Sequence, residues 1–373
     1  MATWRLSPPP KMRCRNERIR SPRKPGNQEQ HPMNKRFNAN ILRAALCMVC
    51  AAVAPAHTAL GATAATAAIV APHDALQKTL DRFASAARPG TLGVAVLDMQ
   101  GSTGWQVNGN QAFPMMSVFK APLGAAVLDR VDKGELKLNQ RVTITRDELR
   151  PGRSAIRGAF QGDRMSFPLA DLLHAAISES DNTGADALLR LIGGPQAVTA
   201  YLRAHGIHGM TVDMGEGQVA DVFRNLGGAA SPPAGETAPQ RQQRLQGGLQ
   251  AYLSDPRNRT TPAAAADFLR KLSTGALLSP TSTQYLMTLL NEQVTPRRLR
   301  VGLPAGVTFA DKCGTSLTVN GVTAAFNDIG IITWPDGHRV IVAAFLMASH
   351  ASREERDRLF ADLARAIVAA RHP

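Results

Sequence analysis

Apolar and polar positions recur along the chain with two different periods, and the period changes at definite places. Leu76, Leu80, Phe83 and Ala87 fall at helical spacing, which predicts a helix over 74–87. The run GTLGVAVLD at 90–98 predicts a strand, and a turn at 101–104 leads to its hairpin partner at 105–108. From 117 to 291 helical patterns predominate, including 169–177 and 185–191, joined by loops carrying Gly and Pro. Strand patterns return at 307–311, 325–333 and 339–347, with Pro335-Asp336-Gly337 as the turn between the last two. A closing amphipathic helix over 352–369 sets Leu359, Leu363 and Ile367 on one face. Strands at both ends therefore bracket a helical middle. The expected fold is α/β of the α+β kind: an antiparallel sheet formed from both chain ends and flanked by helices, plus an all-helical lobe. The stretch 226–250, rich in Gly, Pro, Ala and Gln, breaks the pattern and reads as a mobile inserted loop.

Charge changes the picture at the front of the chain. The 373 residues carry a formal net charge of +14. Residues 1–62 hold eleven Lys and Arg against two acids, which leaves only +5 for all the rest. That basic stretch is followed by an uncharged, Ala-rich run from Ala44 and then by the small-residue sites Ala54-Pro55-Ala56 and Ala62-Thr63-Ala64. Basic start, short apolar run and A-x-A site form the pattern of a secretory signal peptide. The apolar run is about 11 residues, short of the roughly 20 that span a bilayer. Residues 1–62 are thus expected to be a leader, with 1–32 a mis-assigned start before Met33 and 33–62 the signal peptide; 63–373 would be the functional domain. The expected location is periplasmic or secreted, with no stable membrane association after cleavage. Cys14, Cys47 and Cys50 lie in the leader, so the exported part keeps only Cys313 and no internal disulfide. With +5 remaining and 5% aromatic residues, nothing favours nucleic acid as a partner.

Three short motifs carry candidate chemistry. Ser117 and Lys120 in 117-SVFK-120 lie one helical turn apart on one face. If Ser117 opens a helix, the free N–H groups of the first turn face any oxyanion forming beside it. A Lys in an apolar setting is disfavoured as a cation and can accept a proton, which activates a hydroxyl without histidine. Taken alone, the pair is equally an N-cap Ser with a solvated Lys. Ser180-Asp181-Asn182 lies between two helical patterns; Ser180 could pass a proton from nucleophile to leaving group, and Asn182 offers an amide to a substrate carbonyl. Lys312-Cys313-Gly314-Thr315 stands at the end of a strand: the Lys supplies positive charge for an acidic substrate group, and Gly314 permits close approach to the backbone. His205 and His208 form no H-x-H-x-D set, and neither G-x-G-x-x-G nor a P-loop occurs, so neither metal nor cofactor is expected.

In this order and spacing, S-x-x-K, S-D-N and K-x-G resemble the signature of class A β-lactamases and penicillin-binding proteins. The resemblance runs from about Asp74 to Ala370 and includes 113-FPMMSVFK-120, 180-SDNTGADALL-189, 298-RLRVGLPAG-306 and 327-NDIGIITWP-335. It implies a serine β-lactamase-like fold and a small-molecule β-lactam as substrate, acted on by a monomer. It implies Ser117 as the acylating nucleophile, Lys120 as its proton partner and Ser180 as the shuttle to the lactam nitrogen. Asn182 would contact the acylamide side chain, Lys312 the substrate carboxylate, and the backbone N–H groups of Ser117 and Thr315 would form the oxyanion hole. Class A enzymes deacylate with a loop Glu, and Glu216 in 213-DMGEGQVAD-221 matches its place. Here the usual Asn four residues on is Ala220, the usual Arg two residues before is Met214, and Asp186 replaces a usual Asn. A divergent subgroup shares the Glu-x-Gln-hydrophobic run and the Asp. Cys313 stands where Thr or Ser is usual, and a thiol is the weaker donor. Arg298 matches a position where some members hold an auxiliary cation for the carboxylate. A penicillin-binding DD-peptidase or other acyl-serine hydrolase, or a non-catalytic β-lactam sensor, is the alternative reading.

Overall fold

The computed structural model describes residues 72–101, 104–229, 231–294 and 298–371. Residues 1–62, where a leader with a signal peptide is expected, lie outside them. No helix among the described residues is long and apolar enough to cross a membrane.

After helix α1 (Pro72–Ala86), strands β1 (Thr91–Asp98) and β2 (Gly104–Val107) form the first hairpin. The chain then leaves this sheet. It runs through β3 (Phe113–Pro114), a 3-10 turn at Met116–Phe119, helix α2 (Lys120–Asp132) and strand β4 (Arg141–Thr145). Helix α3 (Ala155–Ala159), strand β5 (Arg164–Pro168) and helices α4 (Leu169–Ile177), α5 (Asn182–Leu191) and α6 (Pro195–Ala204) follow. Helices α7 (Glu216–Arg224) and α8 (Ala238–Ser254), strand β6 (Arg259–Thr260), and helices α9 (Pro262–Ser273) and α10 (Pro280–Asn291) complete the middle. The sheet is finished by β7 (Thr308–Thr315), β8 (Thr318–Val319), β9 (Val322–Thr333) and β10 (Arg339–Ser349), and α11 (Arg353–Arg371) closes the chain.

The sheet order is β2-β1-β10-β9-β7, antiparallel throughout, with β8 extending from β9. Both chain ends thus contribute to one sheet, as expected. Its central strands are covered on both faces, which is why they read as nearly unbroken apolar runs. In β10, Ile341, Ala343 and Phe345 face the helical lobe, while Val340, Val342, Ala344 and Leu346 face α1 and α11 through Leu80, Phe360 and Leu363. The period-2 alternation assigns each residue to one of two cores.

Three details depart from the sequence reading. The lobe is helical apart from two short antiparallel pairs, β4 with β5 and β3 with β6; RVTIT at 141–145 alternates and is rich in β-branched residues, which suits a strand. Second, β7 runs four residues past 311, so Lys312 to Thr315 stand within a strand paired to β9 rather than beyond its end. Third, 226–250 is not loop throughout: its second half is the start of α8. Thr237 caps this helix by accepting from Gln240 N, and Gln240 reaches back to Thr237 N at 2.9 Å, a reciprocal cap that the polar, Gly- and Pro-rich composition conceals. Leu249 and Tyr252 of α8 then bury against Met214, Val219 and Phe223.

Candidate active site

Ser117 lies in the 3-10 turn that feeds α2, and the first residue of α2 is Lys120. The turn is held from two sides. Asn327 on β9 donates to Pro114 O at 2.7 Å and to Met115 O at 3.1 Å, and Met115 N donates to Asn258 O at 3.1 Å. Strand β7 passes so close that a Cβ on Gly314 would stand 2.5 Å from Met115 O and 3.1 Å from Ser117 N. Only glycine permits that approach. It brings the backbone of β7 alongside the N-terminal turn of α2.

Lys120 is fully buried. Its Nζ donates to Ser180 O at 2.9 Å and Asn182 Oδ1 at 2.7 Å, and pairs with Glu216 Oε1 at 2.9 Å. Its neighbours are oxygens, so the apolar setting expected for this lysine is corrected: burial is complete but the amino group is surrounded by acceptors. The same Glu216 oxygen accepts from Ser117 Oγ at 3.1 Å. One carboxylate oxygen therefore contacts both the candidate nucleophile and its lysine.

Ser180 adopts a left-handed backbone, φ +60°. Asp181 makes that turn rigid by capping α5: its Oδ1 accepts from Gly184 N at 2.8 Å and its Oδ2 from Ile156 N at 3.0 Å. Ser180 Oγ accepts from Lys312 Nζ at 3.0 Å. Lys312 is wholly buried, and burial pulls its pKa down to about 8, aided by the positive charge of Lys120. Lys312 and Ser180, 132 residues apart, are thus joined directly.

Glu216 opens α7 and is 6% exposed. The loop before it is pinned by Asn258, whose Oδ1 accepts from Asp213 N at 2.7 Å and Met214 N at 2.8 Å while its Nδ2 donates to Met214 O at 2.9 Å. The first turn of α7 is capped from another helix: Asp186 on α5 accepts from Glu216 N at 2.7 Å and Gly217 N at 3.0 Å.

A cleft of about 590 Å³ joins these groups, with Ser117, Ser180, Asn182, Glu216, Cys313 and Thr315 on its walls. Its far end is apolar: Val219 and Phe223 of α7, Leu245 of α8, and Leu317, which is 61% exposed. Val219 is the hydrophobic residue of the Glu216 run, but sequence reasoning did not find Phe223, Leu245, Leu317 or Asn258, because none is part of a motif.

Lys120 and Lys312, wholly buried, lie off the cleft wall but bond to residues that line it, and Arg298 is the third expected site residue off the wall. It is 1% exposed and does not line the cleft. Its guanidinium stacks on Phe326 at 3.8 Å and donates to Gly314 O at 3.0 Å, to Asn327 O and to Thr315 Oγ1. The expectation of a cation facing the substrate is corrected: Arg298 reaches the cleft through Thr315. No cluster of His, Cys, Asp and Glu among the described residues could hold a metal ion.

Comparison with known proteins agrees with this geometry. The profile of the β-lactamase enzyme family matches residues 75–370. The extended-spectrum β-lactamase PER-1 of Pseudomonas aeruginosa is 36% identical over 277 residues, covering 74% of this chain and 80% of that protein. β-Lactamase VEB-1 of the same organism is 30% identical over 282 residues, 75% of this chain and 85% of its own. Among solved structures, a β-lactamase from Chitinophaga pinensis is 33% identical with a TM-score of 0.69 over 80% of this chain and 99% of that one. A class A β-lactamase reconstructed as the last common ancestor of Gram-negative bacteria is 37% identical, with a TM-score of 0.65 over 80% and 100% of the two chains. The chain belongs to the β-lactamase enzyme family, as a class A serine β-lactamase.

Proposed function

We propose that the protein hydrolyses the β-lactam amide through an acyl-enzyme on Ser117, released by a water that Glu216 activates. The observation that carries this reading is the shared Glu216 Oε1, 3.1 Å from Ser117 Oγ and 2.9 Å from Lys120 Nζ. Ser117 Oγ attacks the lactam carbonyl and passes its proton into this hydrogen-bonded set; Glu216 is the direct acceptor in the free protein. The oxyanion is met by the N–H groups of Ser117 and Thr315. The C–N bond breaks as the lactam nitrogen takes a proton from Ser180 Oγ; the proton that left Ser117 passes from Glu216 through Lys120 to Ser180 Oγ, beside which Lys312 stands, so Glu216 is a carboxylate again in the acyl-enzyme. Glu216 then takes a proton from water, hydroxide adds to the ester carbonyl, and Ser117 leaves with a proton returned.

Lys312, buried behind Ser180 Oγ, supplies the charge for the substrate carboxylate, and Asn182 holds the acylamide. Export through the leader supports a periplasmic or secreted enzyme. Incubation with a penicillin, followed by intact mass over time, tests the chemistry. Turnover without lasting adduct is expected for the natural chain, and a Ser117 adduct should accumulate in Glu216→Gln. A stable adduct on the natural chain would instead identify a penicillin-binding or sensor protein. The mass of the protein recovered from the periplasm tests the leader, with a new N-terminus expected between Ala56 and His73.

A further inference from the structure

Helix α7 begins at Glu216 without a side-chain cap of its own, since Gly215 precedes it. Asp186 replaces that cap, and a second residue holds Asp186. Arg150 Nε donates to Asp186 Oδ2 at 2.6 Å. The arginine is itself fixed at its backbone, where its N–H donates to Thr183 Oγ1 at 3.0 Å, and at Nη1, which donates to Asp147 O at 3.2 Å. Its guanidinium lies against the Cα of residue 217: a Cβ there would stand 2.8 Å from Arg150 Nε. Behind α7 is a cavity of about 530 Å³ bordered by Arg150, Asp186, Gly217 and Gln218. On that side the first turn of α7 is held by the ion pair rather than by packed side chains.

We propose that Arg150 is a positioning residue for the Glu216 carboxylate, acting through Asp186, with the bare Cα of Gly217 as the surface it rests on. The inference builds on Glu216 as the deacylating base. Asp186 accepts both backbone N–H groups best as a carboxylate, and that charge lies at the same helix end as Glu216. Arg150 balances it. Without Arg150 the Asp186 carboxylate loses its counter-charge, whereas Glu216 keeps Lys120, and the cap on the first turn of α7 loses the group that fixes it. In acylation Lys120 shares the Ser117 proton with Glu216, whereas in deacylation Glu216 alone aims at the water, so the larger effect should fall on deacylation.

Acylation and deacylation rates with a penicillin, read by quenched-flow mass spectrometry, test this. Arg150→Ala should deacylate about 10- to 100-fold more slowly, the penalty of a small displacement at a reacting group, and lose clearly less in acylation. Millimolar guanidinium should restore part of the loss. Gly217→Ala, which pushes Arg150 away without removing it, should slow deacylation in the natural chain and add nothing in the Arg150→Ala background. Arg190→Ala, whose partner is Glu148, should leave deacylation unchanged. Natural deacylation in Arg150→Ala, or a Gly217→Ala effect of equal size with and without Arg150, would overturn the proposal. Should Arg150→Ala fail to fold, natural deacylation in Gly217→Ala alone would do so. Glu216→Gln run alongside separates the two levels: no trapped adduct there defeats the assignment of Glu216, whereas a trapped adduct with unimpaired Arg150→Ala defeats only the role of Arg150.

Discussion

Lys120 Nζ stands 2.9 Å from Glu216 Oε1, with the lysine side chain wholly buried and the glutamate 6% exposed. Truncating one member of such a pair leaves a buried charge without compensation, which costs about 3–5 kcal/mol. Lys120→Met should therefore lose both acylation and stability. Glu216→Gln keeps an oxygen facing Lys120 and should lose much less stability while losing deacylation. Denaturant melts beside adduct mass spectra check the pair of outcomes. Equal stability loss in both variants would contradict the geometry.

Lys312 gives the pH dependence. Its folded pKa of about 8 lies below the 10.5 of an unperturbed lysine, because burial disfavours the ammonium. Above pH 8 the free enzyme loses the charge proposed to meet the substrate carboxylate, so kcat/KM should fall with a limb near 8. The stability sign runs the other way. Between pH 8 and 10.5 the unfolded chain holds more protons than the folded one, so this residue's unfavourable contribution, complete below pH 8, shrinks as pH rises. Lys312→Met should be more stable than the natural chain at pH 7, with the gap narrowing toward pH 10.5, and should lack the limb near 8. Paired urea melts and pH–rate profiles measure both.

Arg298 separates a cation facing substrate from one acting through Thr315. Its guanidinium fans out to Gly314 O, Asn327 O and Thr315 Oγ1. Arg298→Ala should raise KM and also lose about 1–3 kcal/mol, because the buried groups it satisfies are left unpaired. Arg298→Lys should not rescue either property, since an ammonium lacks the planar fork. Unchanged stability with full rescue by lysine would return Arg298 to the solvent side of the cleft.

Cys313 lies on the cleft wall, 4% exposed, where a hydroxyl would be the stronger donor. Cys313→Thr should lower KM by about threefold to tenfold with kcat little changed, the pattern of an added ground-state contact shared by the transition state. Steady-state kinetics with a penicillin decide it. An unchanged KM would place the substrate carboxylate beyond reach of this side chain.

Much of this architecture was legible before any coordinates. The apolar run at 339–347 announced a strand, and the motif triplets named residues that converge although Ser117, Ser180 and Lys312 lie far apart in sequence. What stayed hidden depends on contacts that no local pattern records. The left-handed Ser180 is a residue type that rarely takes that backbone. Asn258 secures the Glu216 loop from 44 residues away. Arg298, charged and next to a turn, reads as a surface residue until Phe326 and three oxygens are found around it. The Thr237 cap was masked by a composition that averages to loop.

Gly314 lies between the Ser117 turn and Thr315, whose N–H groups are the proposed oxyanion donors, and it supplies the sharpest test of the backbone geometry. A methyl group there would stand 2.5 Å from Met115 O and 3.1 Å from Met116 Cβ and Ser117 N. None of these is the loose end of a flexible side chain, so Gly314→Ala can be accommodated only by moving β7 away from the Ser117 turn. The N–H groups of Ser117 and Thr315 would then no longer converge. Loss of one such donor costs about 100- to 1000-fold in kcat. Gly314→Ala should lower kcat and kcat/KM together by that order, since the contact is made only as the oxyanion forms. Ser180 and Glu216, which lie outside β7, stay in place, so weak binding of unreactive β-lactam products should persist. Acylation rates and product inhibition measured on the same preparation check this. A variant that acylates normally would show that the close approach of β7 serves packing and not the reaction.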